Sequence, residues 1–302
     1  MATSPERPGG TPPDKVWVRD LAPGRLVDST FAVARKDRRR ARNGSPFLAV
    51  ELADRTGRVR GTIFDDVPLL DTRFDQGDTV RVLGTVEEYR GRAQLLIRAI
   101  ERIEPGDPLA YVPGARRDTE DLDGFLEFLA AEIADSTLRA LVEALLADGR
   151  FRPRFASAPA GVDGHHAYAG GALEHTVAVA TICREIAQLH PGLDESVLGA
   201  AALTFCLGAA DAFPPGPTIQ LSEEGRLLGV AHLSARRVEH AAARLRSPRD
   251  RVVLVLHAIE SSRPRTPEAS CLQAAILLDA GVQEALDAKR RAAGPVGGAP
   301  RG

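Results

Sequence analysis

Hydrophobic and polar positions change period about a third of the way along the chain. From Val16 to about Ile103 the apolar residues fall in short alternating or continuous runs divided by turn residues, the pattern of β-strands. Five runs stand out, at 29–35, 46–53, 59–64, 79–89 and 93–103. The turn residues at 54–57 separate the second run from the third, and Arg90 with Gly91 separates the fourth from the fifth. An apolar stretch at 67–74 between the third and fourth suits a short helix. Residues 105–120, with Pro105, Gly106, Pro108, Pro113 and Gly114, read as a linker. Beyond it the period becomes helical: Leu122, Phe125, Leu126 and Leu129 make one apolar stripe, and Leu138, Leu141, Val142 and Leu145 another. Helical patterns recur at 171–189, 194–209, 232–246, 249–261 and 267–288.

Five strands with a helix between the third and fourth is the order of an OB-fold barrel. The expected architecture is therefore multidomain β + α. A disordered N-terminus (1–14) precedes an OB-fold barrel (15–104); after the linker come an all-helical domain (121–290) and a disordered tail (291–302). Phe31, Phe47, Phe64 and Tyr89 lie on the strands. Some must fill the barrel, and those left outside make stacking platforms for bases. A one-residue shift of register exchanges the two sets, so alternation alone does not assign them.

Composition adds little until charge is divided along the chain. The 302 residues carry a net charge of −2 and 44% hydrophobic content, ordinary for a globular protein. Between Lys15 and Glu104, however, 18 Lys+Arg face 14 Asp+Glu, a balance of +4 that leaves −6 for the rest. Arg35, Lys36, Arg38, Arg39, Arg40 and Arg42 fall within eight residues, read either as a solvated loop or as a phosphate-neutralising cluster. Cys183, Cys206 and Cys271 lack zinc-site or disulfide spacing and read as buried thiols. The first fourteen residues have no signal-peptide core, and no membrane span is expected, so the expected location is cytoplasmic.

Residues 44–66 and 77–91 resemble the OB-fold of the YhaM-type 3′-to-5′ exoribonucleases, and the back half resembles their HD phosphohydrolase domain. The most specific match runs from His165, His166 and Tyr168 through Glu174, His175 and Thr176; Glu224 to Gly229 is a second, and Pro267 to Ala269 with Leu278 to Ala280 a third. The resemblance implies an upstream metal-ligating His at His175, an adjacent His-Asp pair, and a downstream Asp. The pair falls on Phe205 and Cys206, the downstream Asp on Ile276, and Asp279 on a neighbouring position without a metal role. His257 matches a family histidine, while Val230, Ser262 and Arg263 stand where the family has others.

An unpaired carboxylate or imidazole costs several kcal/mol to bury, so a site released from catalysis is expected to fill with apolar residues. His175 and His257 remain as doubtful metal positions, and His175 also reads as a hydrogen-bonded structural histidine. His165 and His166 suit either phosphate contact or helix capping. A relocated site would draw on Asp194, Asp211, His232, His240, His257 and Asp279.

The expectation is a binding protein for single-stranded RNA or DNA without a cofactor, using Arg35, Lys36, Arg38, Arg39, Arg40, Arg42, Phe47, Phe64, Tyr89, His165 and His166. The helical domain would serve as scaffold or homo-oligomerisation unit. The alternatives are an active 3′-to-5′ exonuclease with Mn²⁺ or Mg²⁺ in a rearranged site, and a regulatory or assembly subunit.

Overall fold

The computed structural model describes residues 15–41, 44–104, 106–115 and 117–293, with the side chains of 290–293 excepted. The chain divides into two compact units with the boundary between Pro113 and Gly114.

The first unit is a closed five-stranded barrel, β1 (Leu26–Arg40), β2 (Pro46–Asp54), β3 (Gly57–Ile63), β4 (Thr79–Tyr89) and β5 (Arg92–Ile103), in the spatial order β1-β2-β3-β5-β4. A single helical turn, α1 (Val67–Leu70), joins β3 to β4. All pairings are antiparallel except β3 with β5. Closure depends on the length of β1, which pairs with β4 from Leu26 to Ala32 and with β2 from Ala32 to Arg40, with an irregularity between Val33 and Arg35. Such a bulge lets one strand bend across both sheet edges. Val27, Phe31, Val33, Leu48, Leu52, Ile63, Val80, Val82, Leu95 and Ile97 fill the interior, with Phe74 beside them. The five strands and connecting helix are those the pattern predicts.

Two details differ from the sequence reading. The basic run is strand rather than loop: Arg35 to Arg40 pairs with Glu51 to Pro46. Asp37 makes this tolerable, bridging Arg35 at 3.1 Å and Arg39 at 2.9 Å on its own face of the strand. The start of the expected linker also packs on the barrel. Tyr111 is buried, donates its hydroxyl to Thr30 Oγ1 at 3.1 Å, and stacks beneath the Lys15 ammonium, which donates to the Thr30 carbonyl at 2.6 Å. Burial among Trp17, Phe31 and Tyr111 lowers the Lys15 pKa to about 8.

The second unit is helical: α2 (Thr119–Ala131), α3 (Ser136–Leu146), α4 (Arg152–Ser157), α5 (Gly171–Leu189), α6 (Glu195–Thr204), α7 (Ala209–Ala212), α8 (Glu223–Leu245), α9 (Arg249–Glu260) and α10 (Pro267–Ala293). Its centre is α5, which packs against α2, α4, α6 and α10. Small residues along α5 and α6, among them Ala172, Ala180, Ala200, Ala201 and Ala202, are buried and let the helices approach closely.

The pattern at 194–209 breaks into α6 and α7, because the Ser234 hydroxyl replaces helical partners. It donates to the Phe205 carbonyl and accepts from the Gly208 N–H, both at 2.7 Å. The α8 pattern begins nine residues before the expected 232, capped by Ser222 and kinked at Gly229. The last helix runs to Ala293, past the expected domain end at 290. Of the tail expected as disordered at 291–302, residues 291–293 continue the last helix, while residues 1–14 and 294–302 lie outside the described residues, as does Arg42.

One arginine ties three helices together. Asp135 caps α3 by accepting from the N–H groups of Thr137 and Leu138, and Asp194 caps α6 by accepting from Val197. Arg251 of α9 donates to both carboxylates, at 2.9 Å to Asp135 and 2.5 Å and 3.1 Å to Asp194. Hydrogen bonds from Leu138 and Thr137, with the Arg251 charge, hold the Asp135 carboxyl below its usual range. Arg251→Ala is expected to cost about 2 kcal/mol in urea unfolding, as a partly enclosed charged hydrogen-bond centre. Arg249→Ala, which removes an exposed pair with Glu239, should stay within about 0.5 kcal/mol.

Candidate functional site

Two constellations stand out, one in each unit. In the helical unit a chain of hydrogen bonds joins three elements. Asp279, on α10, meets His166 Nε2 at 2.8 Å and His175 Nδ1 at 2.6 Å on a single oxygen, Oδ2. On its far side His166 meets the Tyr168 hydroxyl through Nδ1 at 2.7 Å, and that hydroxyl donates to Glu174 at 2.8 Å. The donor atoms of His166, His175 and Asp279 lie within 4.8 Å of one another. Both imidazoles are 2% exposed.

The backbone is shaped to bring them there. His166 holds φ at +51°, a left-handed conformation that costs about 1 kcal/mol or more outside glycine. Its carbonyl accepts from the N–H groups of Ala160 and Tyr168, fixing the turn. Gly170 then takes φ +84° ahead of α5. Gly171 serves a different need: a Cβ there would lie 2.0 Å from the His166 carbonyl oxygen. The glycine pair thus turns the chain and lets His166 lie against the first turn of α5, while His175 follows one turn further along the same helix.

Electrostatics follow from enclosure. Burial lowers the His175 pKa against the raising effect of its Asp279 hydrogen bond, and burial with the neighbouring His175 lowers that of His165. Burial also pushes the Asp279 carboxyl up, but the two histidine hydrogen bonds reverse this and hold it far below the usual carboxylate range.

Phe205 places its ring edge-on to His175, with centroids 5.2 Å apart. Cys206 is buried, and its thiol is pushed up to about 12 by desolvation. A phenyl ring and a protonated thiol are not a ligand pair, so these positions do not fit a metal. Ile276 packs against the apolar core. The acid at the site is Asp279, three residues along α10, at a position expected to have no metal role.

His257 is not part of the cluster; its Nε2 accepts from the Arg265 N–H at 3.0 Å. Nor are the other residues considered for a relocated site: Asp194 is a cap, Asp211 pairs with Arg237 and Arg154, His232 pairs with Glu260, and His240 is exposed. His166, buried rather than at the surface, is enclosed by the cluster, while the half-buried His165 stands 5.3 Å from the His175 ring.

In the barrel, Phe47 and Phe64 form an outward pair with centroids 5.5 Å apart, and Phe64 is 52% exposed. Arg39 lies directly across the ladder from Phe47, so ring and guanidinium share one face. Arg35, Arg38 and Arg40 are also exposed on β1. Lys36 differs. At 8% side-chain exposure, it donates to the carbonyls of Asp71 at 2.5 Å and Phe74 at 2.6 Å, with Asp71 and Asp75 carboxylates beside it. It fastens the α1 connection to β1 and presents no charge to a ligand. Phe31 is core. Tyr89 is exposed, with Arg90 over its ring, but its pairing with Arg92 puts it toward the start of β3 while Phe64 follows the end of that strand. It belongs to a separate surface.

Comparison with known proteins supports the barrel and a likeness to named relatives over most of the chain. The family described as "OB-fold nucleic acid binding domain" matches residues 32–103. The 3′-5′ exoribonuclease YhaM of Bacillus velezensis is 27% identical over 79% of this chain and 76% of its own length. YhaM of Listeria monocytogenes is 24% identical over 87% and 88%. Among solved structures, the second OB-fold domain of replication protein A from Methanococcus maripaludis covers 30% of this chain and 97% of its own, at 23% identity and a TM-score of 0.25. The resemblance read from the motifs is borne out by these relatives.

Gly171→Ala is expected to lose about 2–3 kcal/mol, since neither the His166 carbonyl nor the α5 backbone can retreat. Gly281→Ala, on α10 with open space around its Cβ position, should gain about 0.5–1 kcal/mol. Urea midpoints of the two variants, moving in opposite directions, would check both.

Proposed function

We propose that this protein binds single-stranded nucleic acid along the β1–β2–β3 face of its barrel, with the Phe47–Phe64 pair stacking on bases and Arg35 and Arg39, on the same face of β1, meeting phosphates. One observation carries the reading: an aromatic pair lies outside a closed barrel, in register with a guanidinium. A barrel of this size needs its rings inside, and Phe31 and Phe74 are there. Two rings left together on the surface suit flat, sequence-tolerant partners. RNA is favoured over DNA because the relatives are named exoribonucleases.

The helical unit supports a scaffold role, because Phe205 and Cys206 stand where the resemblance implies the His-Asp pair. A second reading, a metal-dependent 3′-to-5′ exonuclease with a rearranged centre, is favoured by the clustering of His166, His175 and Asp279.

Fluorescence anisotropy with a 5′-labelled single-stranded RNA in chelator tests the binding face. Phe64→Ala is expected to weaken binding by about 1–3 kcal/mol, roughly five- to 150-fold. Arg35→Glu with Arg39→Glu should weaken it at low salt and flatten the salt dependence by about one to two counterions. Unchanged affinity in both variants would remove this face from the function. The same RNA with Mn²⁺, Mg²⁺, Zn²⁺ or Co²⁺ in turn separates the two readings: RNA intact with every ion supports a binder, and metal-dependent shortening from the 3′ end replaces it with the enzyme.

A further inference from the structure

The hydrogen-bond chain in the helical unit has an electrostatic gap. Tyr168 donates to Glu174, so its oxygen receives the Nδ1 proton of His166. A neutral His166 with its proton on Nδ1 turns a bare lone pair on Nε2 toward the Asp279 carboxylate, 2.8 Å away. His175 Nδ1 faces the same oxygen. His175 can donate its own Nδ1 proton to that oxygen, so the conflict lies at His166 alone, whose Nε2 lone pair and the carboxylate repel in a buried space unless a cation stands between them. That cation is either a proton on His166 Nε2 or a metal ion.

We infer that His166, His175 and Asp279 form a site for one divalent transition-metal ion of the zinc class, displaced from the Phe205–Cys206 pair. Three observations converge. Two imidazoles with one carboxylate form a donor set for Zn²⁺ or Co²⁺ rather than Mg²⁺, which prefers oxygen and water. The Glu174–Tyr168 pair holds the outer nitrogen of His166, the arrangement by which a ligating histidine is fixed in one tautomer and made more basic. The left-handed backbone at His166, enabled by Gly171, aims that ring inward. Three protein ligands leave a coordination position open for water or a phosphate oxygen. The inference is independent of the nucleic-acid reading, since all its residues lie in the helical unit and the ion requires no RNA.

The test uses the full chain without RNA. Purified protein is stripped with chelator, equilibrated with Zn²⁺, freed of excess and assayed for metal by mass spectrometry; Co²⁺ loading is followed by visible absorption. One equivalent per chain is expected, with Co²⁺ bands of a low-coordinate nitrogen and oxygen site and a rise in Tm. Asp279→Asn and His166→Gln, which keep side-chain size and hydrogen-bonding capacity, should each abolish the stoichiometric ion. Tyr168→Phe should weaken it about 10- to 100-fold. His257→Ala and Cys271→Ser should each retain one equivalent, which excludes adventitious binding elsewhere. Substoichiometric metal in the stripped and reloaded wild type, or one equivalent retained in both Asp279→Asn and His166→Gln, overturns the site and leaves the proton as the bridging cation. Loss of RNA binding with the ion retained would instead count against the barrel reading alone.

Discussion

A single carboxylate oxygen organises the centre of the helical unit. Both His166 and His175 turn a ring nitrogen onto Asp279 Oδ2, so α10, the start of α5 and the loop before it converge on one atom. The remaining local features serve that convergence. Gly171 gives the His166 carbonyl room, the left-handed turn swings the ring inward, and Tyr168 with Glu174 holds its other nitrogen. In an interior of low polarity such a network is stable when every member has a partner, and costly when one is missing.

The barrel uses charge in a different way. The chain has 39 cationic residues, and only Lys15, Lys36 and Lys289 are lysines. Two of these hold the barrel unit together from within. Lys36 gathers two carbonyls over the Phe74 ring, and Lys15 donates to Thr30 amid three aromatic rings. A compact ammonium fits among carbonyls where a planar guanidinium would not. The arginines of β1 remain outside, and Asp37 offsets part of their repulsion.

Much of this was legible in the sequence, for physical reasons. Strand alternation with turn residues located all five strands, because a closed barrel has a distinct inside and outside at every position. The extension of β1 through Arg40 was hidden, since its pairing comes from β2 and no apolar alternation marks it. The break after Thr204 was hidden for a similar reason: the residue that causes it, Ser234, lies on another helix. Matching motif positions selected Ile276 and passed over Asp279. On a helix, residues three apart lie on neighbouring parts of one face, so an acid can move nearly a turn along α10 and still reach the same cavity. Nor did anything periodic separate His166 from His165; a backbone torsion sends His166 inward.

The packing around Phe205 and Cys206 makes a His-Asp ligand pair there hard to introduce. Phe205 leans on His175, and Cys206 is buried with the Thr176 side chain as its hydrogen-bond partner. A lone aspartate in place of Cys206 would be an unneutralised buried charge, and a lone histidine in place of Phe205 would give up the ring that walls His175. Each single substitution would destabilise the fold before the second could compensate. Point substitutions can therefore change the chemistry of this cavity more readily at Asp279 and the His165–Tyr168 turn than at Phe205 and Cys206.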